Sequence, residues 1–355
     1  MEKRKLVEYL EEHWTENKAK GIIAQLLFKR EMKSRYSRYR RKFFDGCWVL
    51  APREKDFFKF RFCFFVHSRV MKDAPGEDAE PEDIMKEAVE GFKFRRIASF
   101  LNRAGLEVIY AIPVGDSPLP PEDMRWFLYR YSSRREMLQQ IDADAFFSQW
   151  EGKGKPGQGK TWNDRLIQDY LGLEEDELVS LVLNDAFYTS FLKGRLRKPV
   201  SDPSDVDGFL LSFSSGIVLP LEIKEKFPAG TGNNMFFGID AGRVLMLLRL
   251  CLPNDTNALY IVREVEEAER EFRGWKFMPL SEIILTASWN LQRGGKGMGG
   301  QETQTIKLPY HKFKNLESSD LSDSSLEDIG NLPQEIRKLA EEFKRVLEGR
   351  FGWNG

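Results

Sequence analysis

The segment of residues 204–226, SDVDGFLLSFSSGIVLPLEIKEK, constrains the fold of this 355-residue chain more than any other segment. Its pattern predicts two short apolar strands joined by a tight Ser-Ser-Gly turn. Asp207 lies near the start of the first strand, and Glu222 and Lys224 lie near the end of the second. The segment therefore predicts a β-hairpin with charged side chains at one end.

Side-chain alternation predicts that these charged residues share one face of the hairpin. The odd-numbered residues of the second strand are apolar, so Glu222 and Lys224 lie on the opposite face, roughly 7 Å apart along the strand. A turn at residues 214–216, or at 215–216 alone, pairs the start of the first strand with the end of the second. Opposed residues have Cβ atoms about 5 Å apart, which places Asp207 beside Glu222 and Lys224.

Two neighbouring carboxylates favour a bound cation, because otherwise their charges repel. Mg²⁺ takes hard oxygen ligands and keeps several waters. It also polarises phosphate oxygens and lowers the pKa of bound water. The chain has only three histidines, His13, His67 and His311, so a histidine-based metal site or general base is not favoured. Together with an amine from Lys224, the pattern favours metal-dependent phosphodiester hydrolysis.

Asp207, Glu222 and Lys224, with fourteen residues between Asp207 and Glu222, resemble the motif of the PD-(D/E)XK nuclease superfamily. The resemblance implies a mixed α/β restriction-endonuclease-like core. It implies a Mg²⁺-dependent endodeoxyribonuclease, most closely a type II restriction enzyme, acting on double-stranded DNA as a homodimer. It also implies that the Ile223 carbonyl helps Asp207 and Glu222 to bind the metal, while Lys224 assists the attacking water.

Some assignments within this resemblance stay open. Asp205 competes with Asp207, which is preferred because it directly precedes the apolar run. The family often adds an acidic residue from the helix before the hairpin, for which the candidates are Asp164, Asp169 and Asp185. A Glu-x-Lys triplet alone is uninformative, since it begins at Glu16, Glu31, Glu151, Glu222 and Glu342. Only the Glu222 copy follows an apolar strand in a hairpin with an aspartate.

Pro220 lies within the second strand and removes one backbone donor. We therefore expect an irregular or bulged strand at this position.

A basic segment, residues 29–42, is the second functional feature. Eight of its fourteen residues are Lys or Arg, a density that attracts phosphates through counterion release. Its tyrosines could stack on bases or pack on sugars. The predicted DNA-contacting residues are Lys29, Arg30, Lys33, Arg35, Tyr36, Arg38, Tyr39, Arg40, Arg41 and Lys42.

The chain is predicted to contain two domains and two linkers. Residues 1–150 form an N-terminal α/β domain that contacts DNA, and residues 162–315 form the nuclease domain. A glycine- and lysine-rich linker at 151–161 lies between them. An acidic, serine-rich linker at 316–332 precedes a C-terminal amphipathic helix at 333–355.

The first linker also matches the phosphate-loop pattern, at Gly154, Gly159, Lys160 and Thr161. No convincing buried strand precedes it, so a flexible basic linker is favoured over nucleotide binding. Residues 293–300 are rich in glycine, which permits either a close approach to phosphates or a simple loop.

In the N-terminal domain the patterns predict a helix from Leu6 to Leu27 and a strand from Phe58 to Val66. A second helix from Asp83 to Ala104 ends at Gly105, and the strand LEVIYAIPV follows. A proline-rich loop and another helix are expected next.

The chain has no apolar run long enough for a membrane span and no secretory signal pattern at its start. We therefore expect a cytoplasmic protein. Two alternatives remain beside the restriction enzyme. One is a repair, transposition or antiviral nuclease of the same fold, or one acting on RNA. The other is a nucleic-acid-binding protein without catalysis.

Overall fold

The computed structural model describes residues 3–52, 61–148, 150, 162–195, 204–287, 292–293 and 304–350. The chain forms two compact units, one of residues 1–23 and 46–206, the other of residues 24–45 and 207–355. Both contain helices and mixed β-sheet, as the α/β class predicted. The unit boundaries differ from the predicted ones, because residues 24–45 belong with the hairpin and residues 162–206 belong with the N-terminal unit.

The first unit combines helices with a mixed sheet in the order β1-β2-β4-β5-β6-β3, in which only the β2–β4 pair is parallel. Its strands are β1 (Phe43–Leu50, shared with the second unit), β2 (Phe62–Val66), β3 (Asp78–Ala79), β4 (Glu107–Val114), β5 (Arg125–Ser132) and β6 (Met137–Ile141). Its helices are α1 (Lys3–His13), the start of α2 (Glu16–Lys33), α3 (Pro81–Met85), α4 (Ala88–Arg103), α5 (Ala143–Phe147), α6 (Asp164–Leu171) and α7 (Glu175–Ala186), followed by a π-helical segment, Phe187–Arg195.

The structure corrects several predictions in this unit. The segment after the proline-rich loop forms the hairpin β5–β6 instead of a helix, because β5 is rich in aromatic residues, which favour strands, and buries Trp126, Tyr129 and Tyr131. The predicted helix from Asp83 to Ala104 is two helices, separated where Lys86 adopts a positive φ of 56°. The predicted helix from Leu6 to Leu27 is likewise divided into α1 and α2. Residues 53–60 and 151–161 lie outside the described residues.

The second unit contains a mixed sheet in the order β14-β11-β10-β8-β7, in which only the β8–β10 pair is parallel. A smaller antiparallel sheet has the order β12-β13-β9. The strands are β7 (Ser204–Leu211), β8 (Val218–Lys226), β9 (Phe236–Asp240), β10 (Leu259–Val265), β11 (Phe272–Pro279), β12 (Gln292–Arg293), β13 (Gln304–Pro309) and β14 (Lys314–Asn315). The helices are the rest of α2, α8 (Ala241–Cys251), α9 (Leu280–Thr286), α10 (Asp323–Gly330) and α11 (Gln334–Arg350).

The predicted hairpin is formed by β7 and β8. Its register pairs Gly208 with Leu221 and Leu211 with Val218, so the start of the first strand lies beside the end of the second, as predicted, with partners of slightly lower number than the turn length suggested. The order of hairpin, helix α8 and strand β10 is also as expected. The bulge expected at Pro220 is wrong, because Pro220 pairs with Phe209 in a continuous register. Pro220 has no backbone N–H to donate. The sheet tolerates this because the pairing of β8 with β10 begins only at the next residue, Leu221.

The predicted linker at 316–332 is also wrong, because it contains a 3₁₀ turn at Ser318–Leu321 and helix α10. Ser322 caps α10 by accepting a hydrogen bond from the Ser325 N–H. Leu321 and Leu326 are buried in the same core as the hairpin. The serine-rich composition therefore contributes helix capping instead of flexibility.

Among the described residues, no helix has the length and apolar character needed to span a membrane.

Candidate active site

The hairpin brings Asp207, Glu222 and Lys224 into contact. Lys224 Nζ lies 3.2 Å from Asp207 Oδ2 and 2.9 Å from Glu222 Oε1. Asp207 is 6% exposed and Glu222 is 1% exposed, whereas the Lys224 side chain is 28% exposed. Two buried carboxylates therefore lie against a partly exposed lysine side chain.

Asp207 is held by two further hydrogen bonds. Its Oδ2 atom accepts the Ile223 backbone N–H at 2.6 Å, and its Oδ1 atom accepts the Gln25 side-chain amide at 2.7 Å. Gln25 belongs to helix α2, whose residues Ala24, Phe28 and Met32 recur at four-residue spacing and pack in the hairpin core. This packing of α2 brings the Gln25 amide to Asp207.

Gly208 permits close packing directly beside Asp207. A Cβ atom at this position would lie 2.8 Å from Phe43 Cε2 and 3.3 Å from the Phe44 carbonyl oxygen. The absence of a side chain therefore lets the Phe43 ring approach β7, next to the carboxylate.

Glu222 is bound differently from Asp207. Neither of its carboxylate oxygens receives a hydrogen bond of acceptable geometry from the described residues, although both are buried. Lys224 Nζ and Arg243 Nε, at 2.9 Å and 3.7 Å from Oε1, instead provide ion pairs. Arg243 lies in the first turn of α8, which begins where the Asp240 side chain caps the Gly242 N–H at 2.8 Å.

The surrounding groups show that the site is poorly solvated. Burial raises the pKa of Asp240, and the charge of Glu222 adds to this rise. Burial also raises the pKa of Tyr260 strongly, with smaller contributions from Glu222 and Asp207. Burial and the charge of Lys224 lower the pKa of Lys226. The negative charges of Glu222 and Asp207 therefore shift the pKa values of neighbouring groups, in an environment of low dielectric constant.

The donor set fits a small hard cation. Glu222 presents two buried oxygens that accept no hydrogen bond of acceptable geometry from the described residues, although Lys224 Nζ lies 2.9 Å from Oε1. They lie next to the Asp207 carboxylate, and carboxylate oxygens suit Mg²⁺. The described residues contain no group of three or more His, Cys, Asp or Glu side chains that could surround a metal. The fit is therefore to an ion that keeps several waters, and not to a closed protein cage. The role of the Ile223 carbonyl as a ligand stays a prediction.

Sequence reasoning missed Gln25 and Arg243.

The three helical aspartates considered as an additional acidic residue of the site have other environments. Asp164 and Asp169 are exposed on α6. Asp185 is buried in the first unit, where it accepts hydrogen bonds from side chains that include Trp14, Lys18 and Thr189. One feature of the sequence could have identified Arg243. It is a cation in the first turn of a helix, a position that is unfavourable unless an anion lies nearby.

The side chains of the basic segment, residues 29–42, differ in their exposure to solvent. Lys33, Arg35, Arg38, Arg40 and Arg41 are exposed, while Lys29, Arg30 and Tyr39 are partly buried. Lys29 forms an ion pair with Asp45 at 2.7 Å.

Two side chains of this segment are corrected from DNA contacts to structural roles. Tyr36 is buried and donates to the Leu316 carbonyl at 2.9 Å, so its ring is not open to a base. Lys42 is also buried, and its Nζ lies 2.8 Å from Asp323 Oδ1.

The chain matches no protein-family model, no curated protein and no solved structure. The candidate site must therefore be judged from its own geometry.

Proposed function

We propose that this protein is a Mg²⁺-dependent endodeoxyribonuclease of the PD-(D/E)XK type, with a type II restriction endonuclease as the favoured member of that class. The observation that supports the proposal most is the contact of Lys224 Nζ with both buried carboxylates, at 3.2 Å from Asp207 and 2.9 Å from Glu222. The other Glu-x-Lys triplet that starts at Glu342 lies on helix α11, where Lys344 pairs with Glu348. The fold therefore gives only one of these two copies a neighbouring aspartate from a paired strand.

The residues divide the chemical work among them. Asp207 and Glu222 would hold Mg²⁺, with Gln25 and the Ile223 N–H fixing the orientation of Asp207. When bound, Mg²⁺ supplies Lewis-acid polarisation of a phosphate oxygen and acidifies water. Lys224 would orient the attacking water and offset negative charge that develops on the phosphate. The 28% exposure of the Lys224 side chain supports this role, because a phosphodiester needs access to the site from solvent.

Double-stranded DNA is the proposed substrate. A homodimer is the proposed active form, because cutting both strands usually requires two such sites and the family resemblance implies a dimer. Exposed cations of the basic segment supply the phosphate-binding chemistry that this substrate needs. Light scattering of the protein with and without duplex DNA measures the stoichiometry. A complex of one protein chain per DNA duplex during double-strand cleavage would contradict the proposed homodimer.

The catalytic test is digestion of a supercoiled plasmid with Mg²⁺. We expect Asp207→Asn, Glu222→Gln and Lys224→Met each to reduce the cleavage rate by roughly 100-fold or more, since each removes a group that acts on the reacting atoms. Glu342→Gln and Lys344→Met are matched controls from the other triplet and should cleave as the wild type does. Thermal melting checks that every variant is folded.

Four outcomes separate the alternatives. Discrete fragments from a defined genome support a restriction enzyme, whereas smears or cutting confined to junctions support a repair, transposition or antiviral nuclease. Cleavage that persists in all three site variants would exclude the assigned site. DNA binding without cleavage under any divalent cation would support the non-catalytic alternative.

A further inference from the structure

We propose that Lys226 binds a DNA phosphate adjacent to the scissile one and so aligns the strand with Lys224. The inference rests on the proposed nuclease function and assigns a further substrate-binding residue to the same site. It follows from the position of Lys226 on β8, from the way the charges around it are paired and from its partial burial.

Lys226 lies on the same side of the sheet as the candidate site. It is the last residue of β8, two positions beyond Lys224. β8 pairs with β10 in a continuous register from Leu221 to Lys226, so side-chain alternation holds here and places the two lysines on one side, roughly 7 Å apart along the strand. The pKa of Lys226, which burial lowers most, also responds to the charges of Lys224 and Glu222. The amine of Lys226 therefore lies near the site.

The neighbouring cations on this part of the sheet are paired, whereas Lys226 is not. Arg263 on β10 and Arg270 in the following loop both bind the Glu225 carboxylate, at 2.5 Å each. Lys224 contacts both carboxylates of the site. Within the described part of the chain, the Lys226 side chain forms no hydrogen bond and no ion pair.

The acidic residue that faces Lys226 across the strands already has other partners. Glu264 is paired with Lys226 in the parallel register of β8 and β10. Its Oε1 accepts the Tyr310 hydroxyl at 2.8 Å, and its Oε2 lies 3.5 Å from Lys276 Nζ. Glu264 therefore pairs with Lys276, and the charge of Lys226 is left for an anion from outside the protein.

A DNA phosphate is the anion that suits this position. Lys226 is partly buried, which disfavours its charged form, and a bound anion offsets this cost. A DNA strand carries one charge per about 3.4 Å of helix axis, so the strand that presents its scissile phosphate to Lys224 presents further phosphates beside it. Lysine is a flexible point charge that binds phosphate without a fixed geometry. Lys226 can therefore bind the neighbouring phosphate while Lys224 acts at the cut.

The first test measures binding of a duplex oligonucleotide that the wild type cuts with Mg²⁺, here without divalent cations so that it stays intact. Lys226→Met should weaken binding about tenfold, because a hydrogen bond to a charged phosphate is lost. It should also reduce the slope of log K against log salt by about 0.9, the value for one contact. Lys226→Arg keeps the charge and should keep the slope. Lys338→Met removes the same charge from an exposed position on α11 and should bind as the wild type does.

Cleavage kinetics with Mg²⁺ separate Lys226 from Lys224. Lys226→Met should raise KM for the duplex and leave kcat little changed, because a neighbouring phosphate is bound alike in the ground state and the transition state. Lys224→Met should instead lower kcat. Thermal melting of Lys226→Met should be no lower than that of the wild type, since a partly buried charge without an ion pair has been removed.

A neutral methylphosphonate placed at single positions of the duplex identifies the phosphate that Lys226 binds. In the wild type, this replacement should weaken binding about tenfold at a phosphate directly beside the cut. In Lys226→Met the same replacement should have little further effect, because the contact is already absent. Equal effects in both proteins at every position would contradict the assigned contact.

The outcomes distinguish this inference from the proposed function. If Lys224→Met abolishes cleavage while Lys226→Met binds DNA with wild-type affinity and slope, the role of Lys226 is wrong and the proposed function stands. Lost DNA binding together with a lowered melting temperature would indicate a structural role for Lys226 and would also overturn the inference. If the wild type cuts no DNA with any divalent cation, the proposed function fails and this inference fails with it.

Discussion

At the scale of single residues, the site combines side chains that the sequence could predict with others that it could not. Asp207, Glu222 and Lys224 belong to one hairpin, so strand alternation and turn length placed them together. Gln25 lies 182 positions before Asp207, and only the packing of α2 on the hairpin core brings them into contact. Long-range contacts of this kind have no signature in local periodicity.

Gln25 gives a prediction that separates a metal site from an ordinary buried ion pair. Gln25→Leu removes the amide bonded to Asp207 Oδ1. Without metal, we expect a loss of about 1–3 kcal/mol in the free energy of unfolding, because a buried carboxylate loses one hydrogen-bond donor. Saturating Mg²⁺ should reduce this loss, since a bound cation uses the oxygen and stabilises the folded state. Urea denaturation with and without Mg²⁺ measures both values.

The control for Gln25→Leu is Gln334→Leu, at an exposed position in the first turn of α11. It should change stability little under either condition. An equal loss for Gln25→Leu with and without Mg²⁺ would argue against a metal at Asp207.

At the scale of elements, prediction succeeded where one face of an element is continuously apolar. The hairpin, helix α8 and strand β10 have such faces, and the structure has each of them. Composition misled where polar residues have structural uses. Serines and acids at 316–332 resemble a linker, yet they cap and solvate α10 around the buried Leu326. Pro220 in β8 led to the prediction of a bulge. The prediction was wrong because the hydrogen bonds between β8 and its neighbouring strands cannot be inferred from the sequence of β8 alone.

Helix α10 provides a stability prediction at this scale. Leu326→Ala should lower the free energy of unfolding by about 2–5 kcal/mol, because Leu326 is fully buried in the core that contains the hairpin. Asp328→Ala, at an exposed position of the same helix, should change stability by much less. Chemical denaturation compares them. A loss near zero for Leu326→Ala would mean that residues 316–332 act as a linker after all.

At the scale of the whole molecule, the net charge does not reveal the cluster of cations that is proposed to bind DNA. The chain has a formal charge of −1, yet residues 29–42 hold eight cations. The structure removes Lys42 from the exposed set by pairing it with Asp323, and it pairs Lys29 with Asp45. The cations that remain exposed are Lys33, Arg35, Arg38, Arg40 and Arg41. The proposal of DNA contact therefore depends on fewer cations than composition suggests.

The salt dependence of DNA binding tests this reduced set. If Arg40 and Arg41 each neutralise one phosphate, changing both to Gln should reduce the slope of log K against log salt by about 1.8, at roughly 0.9 per contact. Lys338→Gln with Arg345→Gln removes the same charge from exposed positions on α11 and should leave the slope unchanged. Equal effects of the two pairs would mean that only net charge matters. No effect of the first pair would place the DNA on another surface, because counterion release requires direct phosphate contact and not proximity alone.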